Sequence, residues 1–226
     1  MAKDFTSQQV VDGYDQHIRK LIPGYEVVHQ QILAVLKTYL PKRSHLLVVG
    51  CGTGYELRYL LEAFPDCSFT ATDLSTTMLD KAQATIQDLN VEHRVRFVLG
   101  DVSELQDTAS FDAALSILVT HFIPFEQKDS FLLAIQKKLK QEAIFITFDL
   151  IQIMTQKEKD TLKYICEMNG LTSDQTAAML NRLENDFFPL SEEQTEESLI
   201  KAGFQEARRF TQILCYQGFI AKLIKE

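Results

Sequence analysis

Leu46-Leu47-Val48-Val49-Gly50-Cys51-Gly52-Thr53-Gly54 is the stretch on which the reading of this chain turns. Four successive apolar residues without polar alternation match a strand buried on both faces, as in a parallel sheet. Three glycines within five residues then let the backbone turn sharply and leave no Cβ in the way of a ligand laid against it. A helical pattern begins at once, at Tyr55. Open α/β sheets bind ligands at the carboxyl ends of their strands, which is where this loop falls. A glycine turn alone also serves as a plain structural corner, so the neighbouring segments must be read with it.

Upstream, residues 25–39 place Val28, Ile32, Val35, Leu36 and Tyr39 on one helical face, with Pro23-Gly24 and Pro41 as stops. Downstream, helix and strand signals alternate. Helices are expected at 55–64, 76–89 and 126–140, and strands at 68–72, 95–99, 111–116 and 143–148. Such alternation implies right-handed βαβ units and a mostly parallel sheet with helices on both faces. The pattern then changes to two helices over 153–188, broken at Gly170 with Ser173-Asp174 as cap, and a third helix over 191–202 stopped by Gly203. Two extended segments, 206–215 and 218–224, separated by Tyr216-Gln217, suggest an antiparallel hairpin at one sheet edge. The expectation is one α/β domain over 1–226, with an N-terminal helical cap at 1–40 and a helical insertion at 153–188.

The second strand ends at Asp73, 21 residues after Gly52, and the third runs into Leu99-Gly100-Asp101-Val102. A carboxylate at the first of these tips can accept both hydroxyls of an adenosine ribose. At the second, Asp101 can accept from an adenine amine while the Val102 N–H donates to a ring nitrogen. Singly, each aspartate reads as a cap or a solvated loop residue. Together with the glycine loop they occupy three successive strand tips.

Val-Val-Gly-Cys-Gly-Thr-Gly (48–54), Ala-Thr-Asp-Leu-Ser-Thr-Thr-Met-Leu (71–79), Leu-Gly-Asp-Val (99–102) and Phe-Asp-Ala-Ala-Leu-Ser (111–116) resemble the successive motifs of class I S-adenosylmethionine-dependent methyltransferases. Lys-Ala-Gly-Phe (201–204) and Cys-Tyr-Gln-Gly-Phe-Ile-Ala-Lys (215–222) are similar to that family's last helix and hairpin, so the likeness spans roughly residues 10–226. It implies a Rossmann-like seven-stranded sheet with its last strand antiparallel, and S-adenosyl-L-methionine as cofactor, leaving S-adenosyl-L-homocysteine as product. It also implies Gly50, Cys51, Gly52, Gly54 and Ser116 near the methionyl part, Asp73 and Leu74 at the ribose, and Asp101 with Val102 at the adenine. Two positions depart from the pattern. Many members carry an acid two residues before the first glycine, where this chain has Val48, so backbone carbonyls at Gly50 or near Ser116 are the expected acceptors for the methionyl amine. The usual Pro-Gly turn before the fifth strand is replaced by Lys140-Gln141-Glu142.

Tyr14-Asp15 and Ile22-Pro23-Gly24-Tyr25 further resemble a segment of the carboxy-S-adenosylmethionine synthases, which implies Tyr25 as a cofactor contact; packing at the start of the first helix is the alternative. Those synthases hold a carboxylate with an arginine before the last helix. Here that stretch is Phe187-Phe188-Pro189-Leu190-Ser191, without arginine, which favours ordinary methyl transfer. A nicotinamide dehydrogenase would need glycine at 55, where Tyr55 stands. A non-catalytic S-adenosylmethionine-binding protein would keep the same loop without turnover.

A base is needed only if the acceptor loses a proton during attack. His121, after the fourth strand, is the candidate, since imidazole titrates near neutral pH; a histidine bonded at the cofactor's edge is the other reading. His17, His29, His45 and His93 read as surface or helix residues. Met154, Tyr164, Met168, Met179, Phe187 and Phe188 are expected either to line an acceptor pocket or to pack the insertion onto the sheet.

Composition excludes several classes. Against 23 basic side chains stand 31 acidic ones, a net charge of −8, and the Lys137-Lys138-Leu139-Lys140 cluster reads as a solvated helix end, so nucleic acid is not an expected partner. No apolar run approaches the roughly 20 residues of a membrane span, and the N-terminus lacks a signal-peptide pattern. A cytoplasmic protein is expected, with a small-molecule acceptor and a second copy of the chain as candidate partners. The four cysteines form no CxxC pair and read as reduced thiols, with no metal site.

Overall fold

The computed structural model describes residues 5–153 and 155–224. Seven strands form one sheet in the order β3-β2-β1-β4-β5-β7-β6. They are β1 (His45–Val49), β2 (Ser68–Asp73), β3 (Val95–Leu99), β4 (Phe111–Ile117), β5 (Leu139–Leu150), β6 (Gln205–Ile213) and β7 (Tyr216–Lys222). Strands β1 to β5 run parallel, and β7 is antiparallel to both β5 and β6. This is the Rossmann-like sheet expected from the sequence, with β1 and β4 adjacent at its centre.

Alternation along the strands assigns residues to the two faces. Leu46, Val48, Ala113, Leu115 and Ile117 pack with helices α3 (Tyr25–Tyr39), α4 (Tyr55–Ala63) and α5 (Thr76–Ile86). Leu47, Val49, Ala114, Phe145 and Phe219 pack with α6 (Phe125–Lys138) and α9 (Glu192–Lys201). Two short helices, α1 (Gln8–Asp12) and α2 (Tyr14–Leu21), precede α3 and lie across the strand ends: Ser75 Oγ donates to the Phe5 carbonyl at 2.7 Å and Thr77 Oγ1 to that of Thr6 at 3.0 Å. The insertion forms α7 (Gln156–Met168) and α8 (Ser173–Asn185) around a small core of Leu162, Cys166, Leu171 and Met179. It docks on α2, where Asn169 Nδ2 donates to the Lys20 carbonyl at 3.4 Å. Capping boxes Thr155/Glu158, Thr172/Gln175 and Ser191/Gln194 start α7, α8 and α9.

Several boundaries differ from the sequence expectation. The cap of α8 is Thr172, one residue earlier than expected. The hairpin turns at Leu214-Cys215, with Leu214 at φ 52°, so Tyr216 and Gln217 belong to β7. Helix α6 passes directly into β5 at Leu139, and the segment without Pro-Gly becomes strand, held by Lys140 Nζ donating to Asp112 Oδ1 at 2.8 Å. Lys138 is not a solvated helix end: it is 8% exposed and donates to the Leu105 carbonyl. All four cysteines are free thiols, three buried and Cys215 half-buried.

Candidate functional site

The three loop glycines have positive φ, and each is needed for a different reason. A Cβ at Gly50 would meet Val119 Cγ2 at 2.5 Å, and one at Gly54 the Ala82 Cα at 2.8 Å. At Gly52 nothing lies within 4 Å. The loop is thus packed against β4's exit at one end and α5 at the other, while Gly52 faces open space. Its N–H donates to Asp73 Oδ2 at 2.9 Å, and Ser75 N–H donates to Asp73 Oδ1 at 2.9 Å. Burial pushes the Asp73 carboxyl up, and the N–H groups of Ser75, Gly52 and Leu74 oppose that rise. The glycine loop therefore fixes the carboxylate rather than merely neighbouring it.

Asp73 pairs with Leu99 in the β2–β3 register, which brings Gly100-Asp101 to the same rim. Asp101 Oδ1 accepts from Ser103 N–H at 2.8 Å, capping a short 3-10 turn, and the Val102 side chain is buried beneath it. Leu74 is 76% exposed and Leu99 57%, two large apolar side chains flanking the aspartates on the open side. An exposed apolar pair beside fixed carboxylates suits the face and edge of a nucleoside base. Ser116 lies wholly inside β4 beside Val49, its Oγ without a partner.

On the other side of the loop the N-terminal helices close in. Asp15 Oδ1 accepts from Thr53 Oγ1 at 2.6 Å, so α2 is tied to the glycine loop. Burial, then the charges of Glu56, Asp15, Asp73 and Asp149, push the Tyr14 hydroxyl up. Tyr25 is buried against His29 and Tyr55, with the Arg19 guanidinium 5.4 Å from its ring centre. His29 is no surface residue, as its helical pattern had suggested: it is 3% exposed and its Nδ1 lies 3.1 Å from the Tyr59 hydroxyl. Glu56, missed in the sequence because a first-turn acid ordinarily faces solvent and the helix dipole, is 8% exposed.

Over β4 and β5, His121 is 7% exposed and its Nδ1 bonds Asp149 Oδ1. Asp149 also accepts from Thr120 N–H at 2.6 Å and Leu150 N–H at 2.9 Å. Burial pushes the Asp149 carboxyl up, but the His121 imidazole and the Thr120 N–H outweigh it and hold it below the usual carboxylate range. With Nδ1 so engaged, Nε2 is the nitrogen left for chemistry. The ring packs against Phe122 and Phe187, which also touch each other.

Phe187 also lines a cavity of about 220 Å³, walled by Phe125, Leu150, Ile151, Leu180 and Leu183, with the Lys159–Glu184 ion pair among its lining residues. Of the aromatic and methionine side chains expected at an acceptor pocket, Phe187 lines it, Phe188 contacts Phe125, and Met179 belongs to the insertion's own core. Tyr164 and Met168 do not, being 63% and 81% exposed on the outer helix face; Met154 lies outside the described residues. Segment 187–191 carries no arginine, but α8 brings Arg182 to 5.3 Å from the Phe187 ring. A second cavity of about 30 Å³, room for about one or two waters, lies between Lys128, Thr147, Asp149 and Gln217. Burial pushes the Lys128 amine down to about 8.

Residues 46–142 match the family described as a methyltransferase domain. Over 200 residues the chain is 24% identical to the carboxy-S-adenosyl-L-methionine synthase of Campylobacter curvus, covering 87% of this chain and 84% of that protein. A 90-residue stretch, 40% of this chain and 31% of the relative, is 32% identical to a malonyl-[acyl-carrier protein] O-methyltransferase of Priestia megaterium. Among solved structures, the 1,6-didemethyltoxoflavin-N1-methyltransferase of Burkholderia thailandensis, with 1,6-didemethyltoxoflavin and S-adenosylhomocysteine bound, superposes with a TM-score of 0.62 at 21% identity, over 89% of this chain and 80% of that one.

Proposed function

We propose that this chain is a class I S-adenosylmethionine-dependent methyltransferase that methylates a small, partly hydrophobic acceptor held over the ends of β4 and β5. The observations that carry this reading are an open face at Gly52 beside fixed Asp73, and a cavity of mixed apolar and polar lining whose wall residue Phe187 packs on His121.

The residues fit the cofactor at three points. Open space over Gly52 admits the methionyl chain, Asp73 can accept both ribose hydroxyls, and Leu74 and Leu99 offer apolar surface beside Asp101 for the base. Bound S-adenosylmethionine supplies an activated sulfonium methyl. The protein's share is then alignment and exclusion of water, and alignment alone is worth about 7–11 kcal/mol of barrier. The N-terminal helices and the α7–α8 insertion exclude water from above. Asp149 fixes the His121 tautomer, leaving Nε2 to take a proton from the acceptor as its bond to the methyl forms. Incubating the protein with radiolabelled S-adenosylmethionine and a metabolite extract tests this: label should move to a small organic product, and an extract that gains none refutes it.

A second reading, carboxymethyl chemistry like that of the carboxy-S-adenosylmethionine synthases, is favoured by the end-to-end likeness to that enzyme and by Arg182, a half-buried cation beside the cavity wall at Phe187. Mass spectrometry of the nucleoside product separates the two: S-adenosylhomocysteine for methyl transfer, a carboxylated sulfonium for the other.

A further inference from the structure

Val48, 2% exposed in β1, stands where the resemblance to class I methyltransferases implies an acid. The structure nevertheless gathers carboxylates at the same loop from the opposite direction. Glu56 lies two residues past Gly54, in the first turn of α4, and Asp15 reaches Thr53 from α2. The charges of both, and of Asp73, help to push the Tyr14 hydroxyl up.

Glu56 is a buried carboxylate whose own backbone N–H offsets its burial only in part. Its charged neighbour is a second acid, Asp15, and burial leads that neighbour in pushing its carboxyl up to about 7. Beside it, His29 is held neutral by burial and by Arg19, at about 3. His29 Nε2 points at Glu56 Oε1 across 3.8 Å, too far for a hydrogen bond, and is itself buried without a partner. An ionised carboxylate in such a place is costly unless a cation joins it, and buried acids of this kind concentrate at functional sites. Among the described residues no three His, Cys, Asp or Glu side chains converge as metal ligands.

We propose that Glu56, with Asp15 beside it, receives the α-ammonium group of the cofactor's methionyl end and so replaces the acid absent from position 48. This rests on the cofactor reading above and extends it: the site selects adenosyl compounds that carry an amino-acid tail. Thr53 holds Asp15 in place, and Tyr59 anchors His29 beside Glu56.

The test is a calorimetric cycle on the full chain with three ligands: S-adenosylhomocysteine, its analogue without the α-amino group, and 5′-methylthioadenosine, which lacks the whole tail. Wild-type protein should bind S-adenosylhomocysteine at least tenfold tighter than the desamino analogue. Glu56→Gln should erase that preference, weakening S-adenosylhomocysteine tenfold or more while leaving methylthioadenosine within twofold. The unchanged methylthioadenosine affinity reports that the variant is folded, and the wild-type preference between the two tailed ligands stands without any variant. If Glu56→Gln binds S-adenosylhomocysteine as wild type does, or if wild type does not distinguish the desamino analogue, Glu56 is not the ammonium site and the cofactor reading survives. If wild type binds none of the three, both readings fall together.

Discussion

Replacing Glu56 by Gln should stabilise the unliganded protein at high pH and leave it almost unchanged at low pH. In an unfolded chain the carboxyl titrates near 4.5; in the folded protein burial raises it to about 7. The folded state therefore binds this proton more tightly, so the group favours folding below about 4.5 and opposes it progressively as pH rises to about 7. A difference of about 2.5 units corresponds to about 3 kcal/mol carried by the wild type above pH 8. At pH 5 the same arithmetic leaves less than about 1 kcal/mol. His29, lowered to about 3, works the other way as pH falls below its ordinary 6.5, but it is present in both proteins and cancels in their difference. The groups facing Glu56 (Tyr14 and Asp15 from α2, Tyr25 and His29 from α3, Tyr59 from α4, and Cys51 in the loop) are likewise common to both. Urea unfolding at pH 8.5 and pH 5, with equal slopes as the check on two-state behaviour, should show Glu56→Gln ahead by about 3 kcal/mol at the higher pH and by under about 1 at the lower. A gap that does not change with pH, or a wild type that is the more stable at pH 8.5, refutes the claim that the folded protein leaves the buried Glu56 charge only partly compensated.

Other substitutions separate the parts of the site. Gly52→Ala meets no neighbour but must hold φ 51°, so it should fold with a loss of about 1 kcal/mol and lose S-adenosylhomocysteine affinity by more than tenfold in calorimetry. Gly54→Ala pushes into the Ala82 backbone and should instead lower Tm and soluble yield. Asp73→Ala removes the carboxylate bonded by Gly52 and Ser75 and should weaken S-adenosylhomocysteine and methylthioadenosine alike, by more than tenfold. His121→Gln should cut turnover on an identified acceptor by about 10²-fold, with S-adenosylhomocysteine affinity within twofold. An unchanged rate makes His121 a strut between the β4 loop and β5.

The sheet was legible because its signals are local. The run Leu46–Val49 has no polar alternation, and Gly50, Gly52 and Gly54 all prove to need positive φ. Asp73 and Asp101 follow from strand spacing alone, and register then sets them on one rim. What stayed hidden depends on contacts between distant segments. Nothing near residue 214 announces a turn, because Leu214 takes a left-handed conformation that its type disfavours. Lys138 reads as surface until Leu105 is placed beside it. Glu56 and His29 look like outward helix residues, and only the packing of α3 on α4 buries them together. The pairing of His121 with Asp149, 28 residues on, likewise needed the β4–β5 register.

All of this presupposes an adenosyl compound seated against the glycine loop. Titrating the 226-residue chain with S-adenosylhomocysteine, and in parallel with NADH, addresses that directly. One equivalent of S-adenosylhomocysteine should bind at micromolar concentration and NADH should give no heat of binding; saturation by NADH, or silence with both ligands, would contradict it.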